Sequence, residues 1–181
     1  MKNKKIGLDL DGVLYPFAEI AHKVLKERHG FEWGLKDFWA RELQVKYYEP
    51  EIKAIAQDSN TYCIEEIDPY IPVVLNQLVA MGNTIYYITA RGKKHREVTE
   101  WWLTESGVPF IENLHLGKHH KAPIAKELGL DVFVDDRDFV VRQVGKVTLA
   151  LRYYSKYMTE EAWRESEHGI SSLGELIGMK L

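Results

Sequence analysis

The sequence predicts an α/β fold: a three-layer sandwich with a central parallel sheet and a small helical cap inserted after the first strand. Three observations predict it. Short apolar and β-branched runs alternate with segments of helical periodicity along most of the chain, the rhythm of strand-helix-strand units. Polar clusters directly follow three of those runs, at Asp9/Asp11, at Thr89 and at Asp135/Asp136. One stretch breaks the rhythm. From Phe31 to Glu66 aromatic and apolar residues cluster among polar ones without a strand signature.

The elements follow in order. Lys5-Ile6-Gly7-Leu8 opens as an apolar strand, crosses Asp9 and Asp11 and turns at Gly12. Side chains in extended backbone repeat every two residues, so both carboxylates project to one side. Tyr15–His29 reads as a helix, with Ala18, Ala21, Val24 and Leu25 at helical spacing and Gly30 as its cap. The Phe31–Glu66 stretch is expected to form short helices, with Pro50 near the start of one. Asp68 and Pro69 open a helix to Met81, which Gly82-Asn83 ends. Thr84–Ile88 is a buried strand. A helix over Lys93–Ser106 and a short strand over Asn113–Leu116 come next. Further on are expected a helix Ala122–Leu128 ended by Gly129, a strand Val132–Val134, a helix Phe139–Val144 and a strand Val147–Leu151. Two weaker helices, Thr159–Glu165 and Ser172–Ile177, complete the chain. The division expected is a core of residues 1–14 and 67–181 with a cap of residues 15–66.

Composition narrows the classes. The 181 residues are 45% hydrophobic and 12% aromatic, enough for one domain with a modest insertion. A net charge of -3 and no polybasic face argue against a long nucleic acid as partner. Cys63 is the only cysteine, which excludes an intramolecular disulfide and fits a reducing cytoplasm. The opening Lys2-Asn3-Lys4-Lys5 lacks the apolar core of a signal peptide, and no apolar run approaches a membrane span. A cytoplasmic location is the expectation.

Right-handed crossovers bring the ends of all parallel strands to one sheet edge, where open sheets bind ligands. The three polar clusters meet there, and Lys121 opens a helix on the same side. Asp9, Asp11, Asp135 and Asp136 cannot all stay ionised together without a cation or a proton. Oxygen ligands of this kind suit Mg²⁺. The hydroxyl of Thr89 and the ammonium of Lys121 are what phosphate oxygens need. Metal, phosphate clamp and a spare carboxylate together point to phosphoryl transfer. The adjacent His119 and His120 read as a solvated loop. Arg91 reads equally as a substrate-phosphate contact or as a loop salt bridge.

These residues resemble the haloacid dehalogenase superfamily. Asp9-Leu10-Asp11-Gly12-Val13 matches its first motif, Ile88-Thr89-Ala90-Arg91 its second, Lys121 its third and Val134-Asp135-Asp136-Arg137 its fourth. Within it the chain is similar to the small 5'(3')-deoxyribonucleotidase-type phosphatases, which carry a helical cap in the same place. Their second hydroxyl after the threonine is here replaced by Ala90-Arg91, and Lys118 and Lys126 compete with Lys121 for the third motif. The resemblance implies a Rossmann-like core and a Mg²⁺-dependent phosphatase of nucleoside monophosphates. Asp9 would be the nucleophile and Asp11 the acid/base. Thr89 and Lys121 would hold phosphate oxygens. Asp9, the backbone carbonyl of Asp11, and Asp135 or Asp136 would hold the metal. It also implies that Phe17, Phe38 and Trp39 line the nucleotide pocket, the alternative being that they are the lid's own core.

Two other functions compete. A polynucleotide 3'-phosphatase would share the core motifs but want a basic groove, for which Lys93, Lys94, Arg96 and Lys118 are candidates. A phospho-accepting signalling domain also clusters aspartates, a hydroxyl and a lysine, but in another chain order and without a long insertion after the first strand.

Overall fold

The computed structural model describes residues 1–161 and 168–180. Its frame is a six-stranded sheet in the order β3-β2-β1-β4-β5-β6, every neighbouring pair parallel. The strands are β1 (Lys5–Leu8), β2 (Thr84–Ile88), β3 (Leu114–His115), β4 (Val132–Asp135), β5 (Leu149–Tyr153) and β6 (Gly169–Ile170). The helices are α1 (Phe17–His29), α2 (Leu35–Trp39), α3 (Glu42–Ile55), α4 (Tyr70–Ala80), α5 (Arg96–Glu105), α6 (Lys121–Leu128) and α7 (Asp138–Val144), with a short C-terminal helix Glu175–Gly178.

Strand alternation sorts the core into two layers. Ile6, Leu8, Ile85, Tyr87, Val132 and Val134 face α4, α5 and the C-terminal helix. Ile88, Phe133 and Ala150 face α6 and α7 instead. Helices on both faces of a parallel sheet make the Rossmann-like sandwich expected of the sequence. Gly7 points to the second face, where a Cβ would stand 2.5 Å from Leu130 and 2.6 Å from Phe133, so only glycine lets that layer close.

Residues 17–63 carry α1, α2, α3 and a 3-10 turn over Ser59–Cys63, and hold an apolar cluster of their own. Ala21, Leu25, Phe31, Phe38, Tyr48 and Ile55 are its buried members. Gly30 closes α1 in the left-handed conformation, at φ 64°. Pro50 lies inside α3 rather than near a helix start. The helix begins earlier because Gln44 and Val45 already bond back to the carbonyl of Arg41.

Other boundaries moved for local reasons. The expected strand Val147–Leu151 begins at Leu149, because the amides of Val147 and Thr148 both bond to Val144 and continue the end of α7. The expected Asn113–Leu116 strand shrinks to two residues, since Asn113 closes a 3-10 turn on Phe110. Strand β6 has only two residues and no alternating pattern to betray it. The expected Thr159–Glu165 helix runs into residues 162–167, which lie outside the described residues. Trp101 is exposed and Trp102 buried, as a mid-helix pair requires.

Candidate active site

The site grows from the ends of three neighbouring strands. Thr89 follows β2, Asp9 follows β1, and Asp135 ends β4. The Asp9 amide donates to Val134 at 2.9 Å, which extends the β1–β4 ladder into the site. The next turn wraps tightly, with the amides of Val13, Leu14 and Tyr15 all reaching the carbonyl of Leu10. Gly12 there has φ +91°, and a Cβ on it would stand 2.0 Å from a carboxylate oxygen of Asp136. Glycine is thus required twice over, by conformation and by contact.

Asp9, Asp135 and Asp136 form a buried triad whose carboxylate oxygens lie within 4.8 Å of one another. Lys121, at the first turn of α6, sits between two of them. Its Nζ is 2.7 Å from Oδ2 of Asp9 and 2.7 Å from Oδ2 of Asp135, and its side chain has no exposed surface. Lys126 is exposed and Lys118 half-buried, so of the three candidate lysines Lys121 is the one that meets the carboxylates. The other oxygen of Asp9 accepts from the Leu10 amide at 2.8 Å, and that of Asp135 from the Arg137 amide at 3.0 Å. Asp136 accepts from the Tyr157 hydroxyl at 2.7 Å through Oδ2, while its buried Oδ1 has no partner.

Burial sets the protonation of this cluster. It pushes the Asp136 carboxyl well above the ordinary range, and the neighbouring Asp135 and Asp9 charges add to the effect. Burial and then Asp9 raise Asp135 to about 6, against the pull of Lys121. For Lys121 burial acts downward, but Asp9 and Asp135 outweigh it and keep the ammonium charged. Burial, reinforced by the Asp136 charge, also raises Tyr157, so the phenol stays protonated and donates. Three carboxylates face the Lys121 ammonium and, 3.7 Å from Asp135, the Arg137 guanidinium; with one oxygen left bare, this donor set fits a hard divalent cation.

Asp11 stands outside that triad. Its carboxylate is gripped by Arg91, with Nε at 3.1 and 3.2 Å and Nη2 at 2.7 Å. Thr89 is fully buried, and its hydroxyl oxygen accepts from the Arg91 amide at 3.1 Å.

Above the triad opens a cavity of about 440 Å³. Asp9, Asp11 and Asp136 are at its base, and Phe17, Trp39 and Tyr157 are among its aromatic walls. Trp39 is pinned by its indole N–H to the carbonyl of Ala18 at 3.2 Å and faces Tyr157 at 5.8 Å. Phe38 is not part of this wall. It is fully buried, stacked on Phe31 at 5.2 Å, and backs Trp39 edge-on at 5.3 Å. Exposed His119 reaches the cavity rim. Tyr157 escaped the sequence reading because it lies beyond the last motif in a segment with no period. Tyr62, at the far end of the cap segment, also lines the cavity and carried no signal beyond being aromatic.

Comparison with known proteins agrees with this fold. No family model matches the chain. The protein named "Putative nucleotidase OB0422" of Oceanobacillus iheyensis is 30% identical over 163 residues, covering 81% of this chain and 84% of that protein. A "Putative nucleotidase" of Bacillus cereus is 28% identical over 155 residues, covering 78% and 82%. Among solved structures, a "predicted phosphoglycolate phosphatase" of Haemophilus somnus superposes with a TM-score of 0.61 at 17% identity, over 98% of both chains. The fold and the relatives together support a phosphoric monoester hydrolase. Within that class the chain belongs to the haloacid dehalogenase superfamily, in the nucleotidase-like family of its Oceanobacillus relative.

Proposed function

We propose that this hydrolase is a Mg²⁺-dependent nucleotidase that takes phosphate from nucleoside monophosphates through an aspartyl-phosphate. The observation that carries the reading is the juxtaposition of the Asp9–Lys121–Asp135–Asp136 cluster with a cavity walled by Phe17 and Trp39. The cluster suits a phosphate and its cation; the rings suit a flat base.

The chemistry follows from the residues. Lys121 holds Oδ2 of Asp9 by charge, which fixes the carboxylate for in-line attack on phosphorus. A new bond forms from Asp9 to phosphorus as the bond to the nucleoside oxygen breaks, and Asp11 gives that oxygen a proton. Asp11 then takes a proton from water as the water oxygen attacks phosphorus. The Asp9–phosphorus bond breaks, inorganic phosphate leaves, and both carboxyls return to their starting states. Mg²⁺, held by Asp9, Asp136 and the backbone carbonyl of Asp11, would supply neutralisation of the phosphoryl charge. Asp135 has one oxygen on Lys121 and the other on a backbone amide, so its part is to hold the lysine. We assign Thr89 and Lys121 to the phosphoryl oxygens on the motif resemblance; both are fully buried and neither lines the cavity.

The same reading divides the chain into a catalytic core of residues 1–14 and 67–181 and a cap of residues 15–66, supported by the cap segment's separate apolar cluster. No helix among the described residues is long and apolar enough to cross a membrane, and the single cysteine fits a cytoplasmic setting. The test is a hydrolysis screen with Mg²⁺ over nucleoside 5'- and 3'-monophosphates, sugar phosphates and a 3'-phosphorylated oligonucleotide. The expected result is preference for a nucleoside monophosphate and loss of all turnover in excess chelator. Preference for the oligonucleotide would replace the reading with a polynucleotide 3'-phosphatase. Preference for sugar phosphates would remove the base from it.

A further inference from the structure

Arg91 follows the Thr89 motif and invites assignment as a substrate-phosphate contact. The structure gives it another task. Its side chain has no exposed surface, although the residue borders the cavity, and its donors are committed to partners within the protein. The guanidinium fork closes on Asp11 with three hydrogen bonds, and Nη1 reaches the Thr99 hydroxyl at 3.4 Å. Aromatic rings enclose the group: Tyr62 at 4.1 Å, Tyr15 at 4.8 Å and Trp102 at 5.4 Å. A guanidinium so enclosed has little freedom to swing toward a ligand, and a lysine could not reproduce its planar fork.

The enclosure also spans the parts of the molecule that frame the cavity. Tyr15 lies where the chain enters the cap segment, Tyr62 near the end of that segment, and Trp102 in α5 of the core. The Tyr15 hydroxyl donates to the carbonyl of Thr61, which ties the two ends of the cap segment together beside the guanidinium. Asp11 itself keeps 24% of its side chain exposed.

We infer that Arg91 is a positioning residue that aims the Asp11 carboxylate, braced by the Tyr15–Tyr62–Trp102 enclosure, and does not bind the substrate phosphate. The inference rests on the reading of Asp11 as the acid/base. Proton delivery matters for a poor leaving group such as a nucleoside alkoxide. It matters little for nitrophenolate, which leaves without help. The value of kcat/KM reports the step that breaks the bond to the leaving group.

The experiment compares Arg91→Lys, Asp11→Asn and the double variant on a nucleoside 5'-monophosphate and on p-nitrophenyl phosphate, with a thermal melt of each. Arg91→Lys is expected to lower kcat/KM for the nucleotide by roughly 10–100-fold, part of the ~10²–10⁴-fold of a whole acid/base, and for the nitrophenyl ester by less than about threefold. The double variant is expected to be no slower than Asp11→Asn alone. Equal losses on both substrates, or a double variant slower than Asp11→Asn, would overturn the inference. An unimpaired Asp11→Asn would instead remove the acid/base reading beneath it. If Arg91→Lys fails to fold, Tyr15→Leu removes a ring that encloses the guanidinium without lining the cavity and leaves the ion pair. A smaller loss confined to the nucleotide supports the inference, and equal losses there refute it.

Discussion

Lys121 offers the sharpest test of the site. Lys121→Met keeps the length and helix propensity of the side chain but leaves Asp9, Asp135 and Asp136 buried together without their ammonium. Removing one partner of a buried ion pair costs about 3–5 kcal/mol, because a charge is stranded rather than merely unpaired. For a domain of this size that is a fall in Tm of about 6–20 °C. The stranded carboxylates recover part of it by taking up protons, so the loss is larger at pH 8 than at pH 5. Circular-dichroism melts in chelator at both pH values measure it directly. Saturating Mg²⁺ should return part of the lost Tm, since the ion binds the native triad and not the unfolded chain. Turnover should stay at least about 100-fold down even with Mg²⁺, because the charged donor assigned to the phosphoryl oxygens is gone and only Thr89 remains. A variant that melts within about 2 °C of wild type at pH 8 in chelator would show that the triad's charges are balanced elsewhere.

Three further outcomes are expected. Asp9→Asn should abolish hydrolysis while the fold survives, and Asp11→Asn should cost ~10²–10⁴-fold; steady-state rates near wild type would remove the covalent step in the first case and the acid/base role in the second. In chelator, stability should decline as pH rises: the folded-state carboxyl of Asp135 titrates at about 6 against an ordinary 3.8, so its contribution is whole below 3.8 and lost through about 6. A metal-free Tm that climbs over that window would contradict the sign. Phe17→Ala and Trp39→Ala should each lose about tenfold or more in kcat/KM for a nucleotide and little for a small aryl phosphate, as the loss of a stacked base worth ~1–3 kcal/mol requires. Phe38→Ala should instead lower Tm and depress both substrates together, as a vacated core site does, and the three variants run side by side separate the two roles.

The strand ends were legible because the physics there is local. Two carboxylates at period two, a glycine after them and an apolar run before them say strand, same side and turn. Lys121 stood out from Lys118 and Lys126 by its place at a helix start, and it is the one between Asp9 and Asp135. Neighbouring strands do the rest, since β2, β1 and β4 are adjacent and their ends must meet. The cap was harder. Phe17, Phe38 and Trp39 are alike in composition, and only the three-dimensional turn of α1 and α2 decides that Phe38 faces inward while the other two face the cavity. Arg91 could be read as ligand or salt bridge because its partner Asp11 lies on another strand end, beyond any local pattern. Tyr157 has no periodic segment around it, and its bond to Asp136 depends on where the chain returns after β5.

The place of β1 has a consequence for how the chain assembles. The ladder partners of this strand, Thr84–Ile88 and Val132–Asp135, come far later in the sequence. Its pairing is therefore non-local, and closing those long loops sets the pace of folding. Asp9 meets Asp135 and Asp136 only when β1 and β4 zip together, so their mutual repulsion is absent from the early chain and rises as that ladder completes, past the loop-closing barrier. A divalent ion relieves it only after that event. In stopped-flow kinetics Mg²⁺ should accordingly slow unfolding while leaving the folding limb nearly unchanged.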